Sequence, residues 1–317
     1  MIKILFSSVG RRVELIQCFK NAANELKKEL IIYGVDISLT APALYFCDKQ
    51  FIVPKISDAN YIPTLLEICK CENINILIPT IDTDLMLLSE HKSEFENIGT
   101  KVLVSAPDKI KVCRDKRLTG DFFKQCGLNA PPTTDDIKFY NCDFPAFIKP
   151  KDGSSSINAY KVEDFKSLEM YSKQIPDYII QPFISGIEFT VDIFCSFAGE
   201  PIYITPRVRM ATRAGEVLKT KICLDESITD DMKRLVKSFK PCGPITVQLI
   251  KDTVSNKNIY IEINPRFGGG APLSMKAGAN SAKALIELNE GKKLSIVPTA
   301  AEDGAVFCRF EQSIKIN

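Results

Sequence analysis

The sequence predicts a doubly wound parallel α/β sheet in its first third and an α+β unit built on antiparallel sheet after it. Near-continuously apolar strands alternate with amphipathic segments early in the chain, the pattern of strands covered on both faces. After Pro131-Pro132 the pattern changes to strand-like runs joined by short turns. The length of 317 residues fits two domains at roughly 150 residues each.

Ile2 to Phe6 reads as a strand, and Arg11 to Glu29 carries Leu15, Phe19, Ala22, Ala23 and Leu26 at helical spacing. Ile31 to Val35 is a second strand ending at Asp36, and Phe51 to Val53 a short third. Tyr61 to Cys69 is a helix, Ile74 to Ile78 a strand closed by Pro79, Leu85 to Phe95 a helix and Val102 to Ser105 a strand. Ligands of such sheets lie beyond the carboxyl ends of the strands. Here those ends carry Ser7 to Arg12, Asp36 and Thr80 to Asp84. Asp115-Lys116 opens another helix, with Leu118, Phe122 and Phe123 on one face and Gly127 as its C-cap. The domain boundary is placed at 110/111.

Beyond it, Phe147 to Lys149, Tyr178 to Ile184, Glu188 to Phe197, Ile202 to Thr205, Ile245 to Ile250 and Asn258 to Ile263 read as strands. Ala198-Gly199-Glu200 suits a hairpin turn and Lys251 to Lys257 a longer one. Glu163 to Tyr171 and Asp230 to Phe239 supply helices.

Hydrophobic residues at 45% and charged residues at 25% are globular proportions, which excludes disorder. Lys+Arg 41 against Asp+Glu 39 leaves no surplus for nucleic acid or a membrane surface. No apolar run is long enough for a membrane span or a signal peptide, and the 11 cysteines are scattered, so reduced thiols and a cytoplasmic location are expected. The single histidine, His91, lies in a polar helical stretch, which disfavours Ser-His and Cys-His nucleophilic schemes.

Three segments carry candidate chemistry. In Phe147-Ile148-Lys149-Pro150-Lys151-Asp152-Gly153-Ser154-Ser155-Ser156 a strand delivers lysines to a Gly-Ser loop, a combination that wraps a polyphosphate. A solvated polar loop is the bland alternative, and the P-loop pattern is absent. In Glu262-Ile263-Asn264-Pro265-Arg266 the first and third residues share a strand face. A symmetric Lys251 to Lys257 connection puts Gln248 opposite Glu262. Three oxygen ligands then suit a hard cation such as Mg²⁺, and Arg266 can clamp an anion. The third segment, Tyr178 to Asp192, includes a stiff connection from Gln181 to Ile184 followed by Glu188; its backbone can meet a base edge and its acid a ribose, although an ordinary strand-loop-strand fits equally well.

The ordered set of Lys116, Lys149 with Gly153-Ser154-Ser155, Gln181 to Ile184, Glu188, Gln248 and Glu262-x-Asn264-Pro265-Arg266 resembles the ATP-grasp family. With Ser8 to Arg12 and Pro79 to Asp82 it is similar to the carbamoyl-phosphate-synthase-large-subunit-like members. The resemblance covers Pro107 to about Phe310. It implies an ATP-grasp fold, with a small lid subdomain at about 130–186 and a larger catalytic one at about 187–317. It also implies a ligase that uses ATP to activate a carboxylate as an acyl phosphate for an amine.

On that resemblance Lys116 and Lys149 hold phosphates under Gly153 to Ser155. Gln181, Phe183 and Ile184 flank adenine, and Glu188 takes the ribose. Glu262, Asn264 and Gln248 hold Mg²⁺ (or Mn²⁺), and Arg266 stabilises the transferring phosphoryl group. Gln248 stands where many members carry an acid. The partners implied are a small-molecule carboxylate and an amine, with no nucleic acid or membrane, and the resemblance favours a homodimer.

Arg207, Arg209 and Arg213 suit either a carboxylate substrate or an exposed basic loop. Gly10, Arg11 and Arg12, at a helix start, suit an anion or a solvated first turn. Two other functions compete: an ATP-binding regulatory module without turnover, and a nicotinamide oxidoreductase, weakened because G-x-G-x-x-G is missing.

Overall fold

Ile4, Leu5 and Phe6 are apolar toward both faces of the first strand, and all three are fully buried. That requires cover on each side, which flanking helices supply. The structure, a computed structural model, describes residues 1–153, 157–297 and 299–316. The first sheet holds β1 (Ile2–Ser7), β2 (Leu30–Asp36), β3 (Lys49–Ile52), β4 (Ile76–Pro79) and β5 (Lys101–Val102), all parallel, in the order β3-β2-β1-β4-β5. Strand order reverses between β1 and β4, so the crevice of this domain opens between the loops that follow them. The helix expected from Leu85 to Phe95 is two short ones, Leu85–Glu90 and Lys92–Asn97, broken at His91 where ψ rises to 7°.

A second, antiparallel sheet has the order β7-β6-β8, from β6 (Ala146–Pro150), β7 (Tyr160–Val162) and β8 (Tyr178–Pro182). Helix Phe165–Ser172 covers it, with Leu168 buried among Ala146, Ile148, Val162 and Ile180.

The third sheet contains β9 (Gly186–Cys195), β10 (Pro201–Arg213), β11 (Glu216–Ile222), β12 (Pro244–Asp252), β13 (Asn258–Asn264) and β14 (Val306–Cys308). They run antiparallel in the order β13-β12-β9-β10-β11-β14. Helix Glu226–Phe239 buries Ile228, Met232, Leu235, Val236 and Phe239 against this sheet, the spacing of one helical face. Asp225 caps it by accepting the Ile228 N–H at 3.2 Å.

The basic segment from Arg207 is no loop. β10 runs through Arg213, turns at Ala214-Gly215 with φ +47° and +76°, and returns as β11. Its alternating arginines face acids on β9, so the polar residues that suggest a loop are the inner pairs of a sheet.

One apolar core joins the first domain to the third sheet. Phe267 packs edge-on against Phe19, at 6.1 Å between ring centroids, and is stacked with Phe194 at 6.2 Å. The turn after β13 is therefore anchored from both sides, and Arg266 with it.

Candidate active site

A cavity of ≈ 380 Å³ opens between the three-stranded sheet and the six-stranded one. β6 brings Phe147 and Lys149 to it, because residues two apart share a face. Lys116 arrives as the first residue of helix Lys116–Gln125, whose cap Asp115 accepts the Arg117 N–H at 2.9 Å. The Lys116 backbone N–H donates to Lys151 O and its Nζ to Gly153 O, each at 3.0 Å. One residue thus ties the helix to the loop that follows β6.

Burial pushes the Lys149 ammonium down to about 8; Glu262 opposes the shift and Lys116 adds to it. Lys116 is also lowered, by burial first, against the pull of Glu262. Both lysines therefore feel the same carboxylate although 33 positions separate them in the chain. Neither forms an ion pair among the described residues, which leaves their charge for a ligand.

Gln248 lies directly opposite Glu262 in the β12–β13 ladder, and an irregularity follows it. Asn264 donates to Glu262 Oε1 at 2.8 Å, and its Oδ1 accepts from Arg266 at 3.3 Å. Arg266 crosses to the first domain and donates to Asp82 Oδ2 at 2.5 Å. Its Nε is buried without a partner among the described residues. Among the described residues, no three or more His, Cys, Asp or Glu side chains are grouped so that they could hold a metal ion by themselves. One carboxylate and two amide oxygens make a sparse donor set, which fits an Mg²⁺ ion that takes much of its shell from phosphates and water.

Lys116, Lys149, Gly153, Gln181, Phe183, Ile184, Glu188, Gln248 and Glu262 all line the one cavity. Asn264 lines an adjoining hollow with Asp82, Arg114 and Lys116. Ser154 and Ser155 lie outside the described residues. Gln181 is largely buried, its amide donating to Thr133 at 2.8 Å. Phe183 sits 6.5 Å from Phe147, centroid to centroid.

Arg207, Arg209, Arg213, Gly10 and Arg11 do not come together in one site. Arg207 is buried, its guanidinium donating to Asp192 at 2.8 Å. Arg209 lines the same cavity as Lys149 and donates to Glu188 at 3.2 Å. Arg213 and Arg11 both meet Glu311 at the surface. The Gly10 N–H donates to Asp36 at 2.8 Å.

Asp82 has no role assigned from the sequence, and Arg12 has one only as part of an anion-binding helix start, yet both reach the turn after β13. Both stand in the strand-end loops where a doubly wound sheet binds its ligand, and that position was the available signal.

The glycines after Arg266 explain how the turn receives so much. A Cβ on Gly268 would lie 2.8 Å from Thr246, one on Gly269 2.9 Å from Arg12, and one on Gly270 2.5 Å from Arg207.

A family model described as "PylC-like, N-terminal domain" matches residues 4–103, and one described as "ATP-grasp domain" matches residues 113–270. Carbamoyl phosphate synthase large chain from Pseudothermotoga lettingae is 28% identical over 274 residues, 78% of this chain and 24% of that one. D-alanine--D-alanine ligase from Marinomonas sp. is 26% identical over 155 residues, 41% of this chain and 48% of that one. The chain thus spans about a quarter of one relative's length and about half of the other's.

The biotin carboxylase domain dimer of Hydrogenobacter thermophilus 2-oxoglutarate carboxylase, in complex with MgADP, ADP and bicarbonate, shares the fold with a TM-score of 0.79. Sequence identity to it is 15%, covering 98% of this chain and 74% of that one. Topology, site order and both family matches agree: residues 113–270 are an ATP-grasp domain, preceded by a PylC-like domain over residues 4–103.

Proposed function

We propose that the chain is an ATP- and Mg²⁺-dependent ligase that activates a small carboxylate as an acyl phosphate and passes the acyl group to an amine. The observation that carries this reading is the convergence of Lys116, Lys149, Gln248 and Glu262 on one cavity, with Arg266 beyond them. Dispersed cations beside hard-cation ligands stabilise a transferring phosphoryl group. The names of the two sequence relatives support the same chemistry.

In this reading Lys116 and Lys149 hold the phosphates, and Gly153 packs over them. Phe183 and Ile184 flank the base, with backbone atoms between Gln181 and Ile184 meeting its edge, and Glu188 takes the ribose. Glu262, with Asn264 and Gln248, holds Mg²⁺, which neutralises charge on the phosphates when bound. Arg266 steadies the carboxylate and the oxygens of the acyl phosphate. The substrate carboxylate attacks the γ-phosphorus and ADP leaves; the amine then attacks the acyl carbon and phosphate leaves.

We divide the chain at 110/111, which the matches to residues 4–103 and 113–270 support, and within the second part we propose a lid at about 130–186 and a catalytic subdomain at about 187–317. A homodimer is part of the proposal, supported by the dimer named for the Hydrogenobacter structure.

Hydroxylamine, which traps acyl phosphates as hydroxamates, tests the reading without knowledge of the amine. A panel of small carboxylates with Mg-ATP should yield one that gives hydroxamate and ADP together. An oxygen label in that carboxylate should appear once in the released phosphate. AMP with pyrophosphate would contradict the mechanism. Mg-ATP binding with no carboxylate-dependent ADP would instead indicate a binding module.

A further inference from the structure

Arg12 follows the loop after β1 and reaches the turn after β13, where its guanidinium lies against Gly269. Its side chain is only 21% exposed, yet its nearest acid, Glu216, is 4.0 Å away. Among the described residues its one hydrogen bond is a long one, Nη2 to Thr80 O at 3.4 Å. A guanidinium offers five N–H donors in a planar fork. The contrast with Arg207 is direct, because that buried arginine donates to a carboxylate at 2.8 Å. Burial before all, and then Arg266, holds Arg12 below the ordinary arginine value.

The charges around it are of both signs. Arg12, Arg266 and Arg309 face Asp82 and Glu216. Asp82 gives Oδ2 to Arg266 and is left with Oδ1 free of hydrogen bonds among the described residues. Glu216 accepts from Arg309 at 3.3 Å. A ligand with only negative groups would satisfy Arg12 but meet two acids, and a simple amine would leave the fork unfilled. A molecule with adjacent carboxylate and ammonium groups matches both.

We propose that Arg12 holds the carboxylate of a free amino acid whose ammonium group faces Asp82, so that the acceptor in the ligation is a zwitterion. Arg12 would then be a specificity-determining residue, separate from the groups assigned to the nucleotide. The proposal rests on the ligase reading above.

Thermal unfolding of the full chain tests the two separately. Mg-ADP should raise the melting temperature. On the Mg-ADP-loaded chain, millimolar amounts of each of the common amino acids are then added, alongside its carboxamide, succinate and inorganic phosphate. At least one amino acid should add a further shift, and its carboxamide should not. Arg12→Gln should weaken that amino acid about 10- to 100-fold, the size of a lost charge-assisted pair, with the Mg-ADP shift unchanged. Arg12→Lys, which keeps the charge but not the fork, should fall between, and serves if the glutamine variant does not fold. The inference is overturned if no amino acid shifts the loaded chain, if acid and carboxamide act alike, if succinate or phosphate alone produces the shift, or if both variants bind as the wild type does. Failure of Mg-ADP itself to shift the chain would overturn the ligase reading, and the inference with it.

Discussion

Positive charge is carried differently at the two ends of the cleft. At one end Lys116 and Lys149 face Glu262 without an ion pair among the described residues, and both are held below the ordinary lysine value by burial. At the other end Arg266 lies on Asp82 and Arg309 on Glu216. Lysine can lose its proton when desolvated, whereas arginine stays charged. Lysines therefore suit the end proposed for the nucleotide, whose phosphates would neutralise them. Paired arginines suit the end that must keep its shape while ligands come and go.

Arg207→Met should have the largest effect, because it removes a partner from the buried Arg207–Asp192 pair and leaves Asp192 with the Ser274 hydroxyl at 2.7 Å. A loss of about 3–5 kcal/mol is expected, read from denaturant midpoints, with Mg-ADP still binding the folded fraction. Unchanged stability would return Arg207 to the candidates for substrate contact.

Glu262→Gln comes next. It removes the one carboxylate of the Gln248–Glu262–Asn264 set. Several kcal/mol of transition-state stabilisation depend on such a metal, so turnover should fall about 100-fold or more. Excess Mg²⁺ should rescue part of the loss. Wild-type rates at limiting Mg²⁺ would remove Glu262 from the metal set.

The smallest effect is a pH slope. The Lys149 value of about 8 lies below its ordinary 10.5. Between these two, the unfolded chain binds a proton that the folded one lacks, so stability rises with pH by at most about 1.4 kcal/mol per unit. ATP affinity should fall as pH rises through about 8, when the ammonium is lost. Lys149→Met should abolish both trends; a variant that keeps the wild-type profiles would assign them to another group.

The parts of the fold visible in the sequence are those governed by short-range pattern. β1 and its helix follow from period and burial, and the Gln248–Glu262 pairing follows from a nearly symmetric hairpin connection. The β10–β11 hairpin was hidden for two reasons. Its inward arginines look like surface residues until the acids of β9 are beside them, and its turn uses Ala214 at a positive φ where Asn would have signalled it. The contact of Arg266 with Asp82 joins residues 184 positions apart, and no local pattern encodes such a pairing. The same holds for Arg12. The sequence shows two adjacent arginines, and only the packed turn distinguishes the one at the surface from the one held against Gly269.

The glycine run after Arg266 also bears on how the chain can vary. Alanine is usually the mildest replacement a position can receive, yet at 268, 269 and 270 it would press on Thr246, Arg12 and Arg207 in turn. Those neighbours belong to β12, the first domain and β10, so three adjacent codons are tied to three distant parts of the protein. The flexible Arg12 side chain can give way to Gly269→Ala, so that change would be tolerated structurally and felt at the Arg12 guanidinium. Gly270→Ala would push on an arginine with nowhere to go. Within one tripeptide, inherited variation is thus sorted into changes that retune the protein and changes that unfold it.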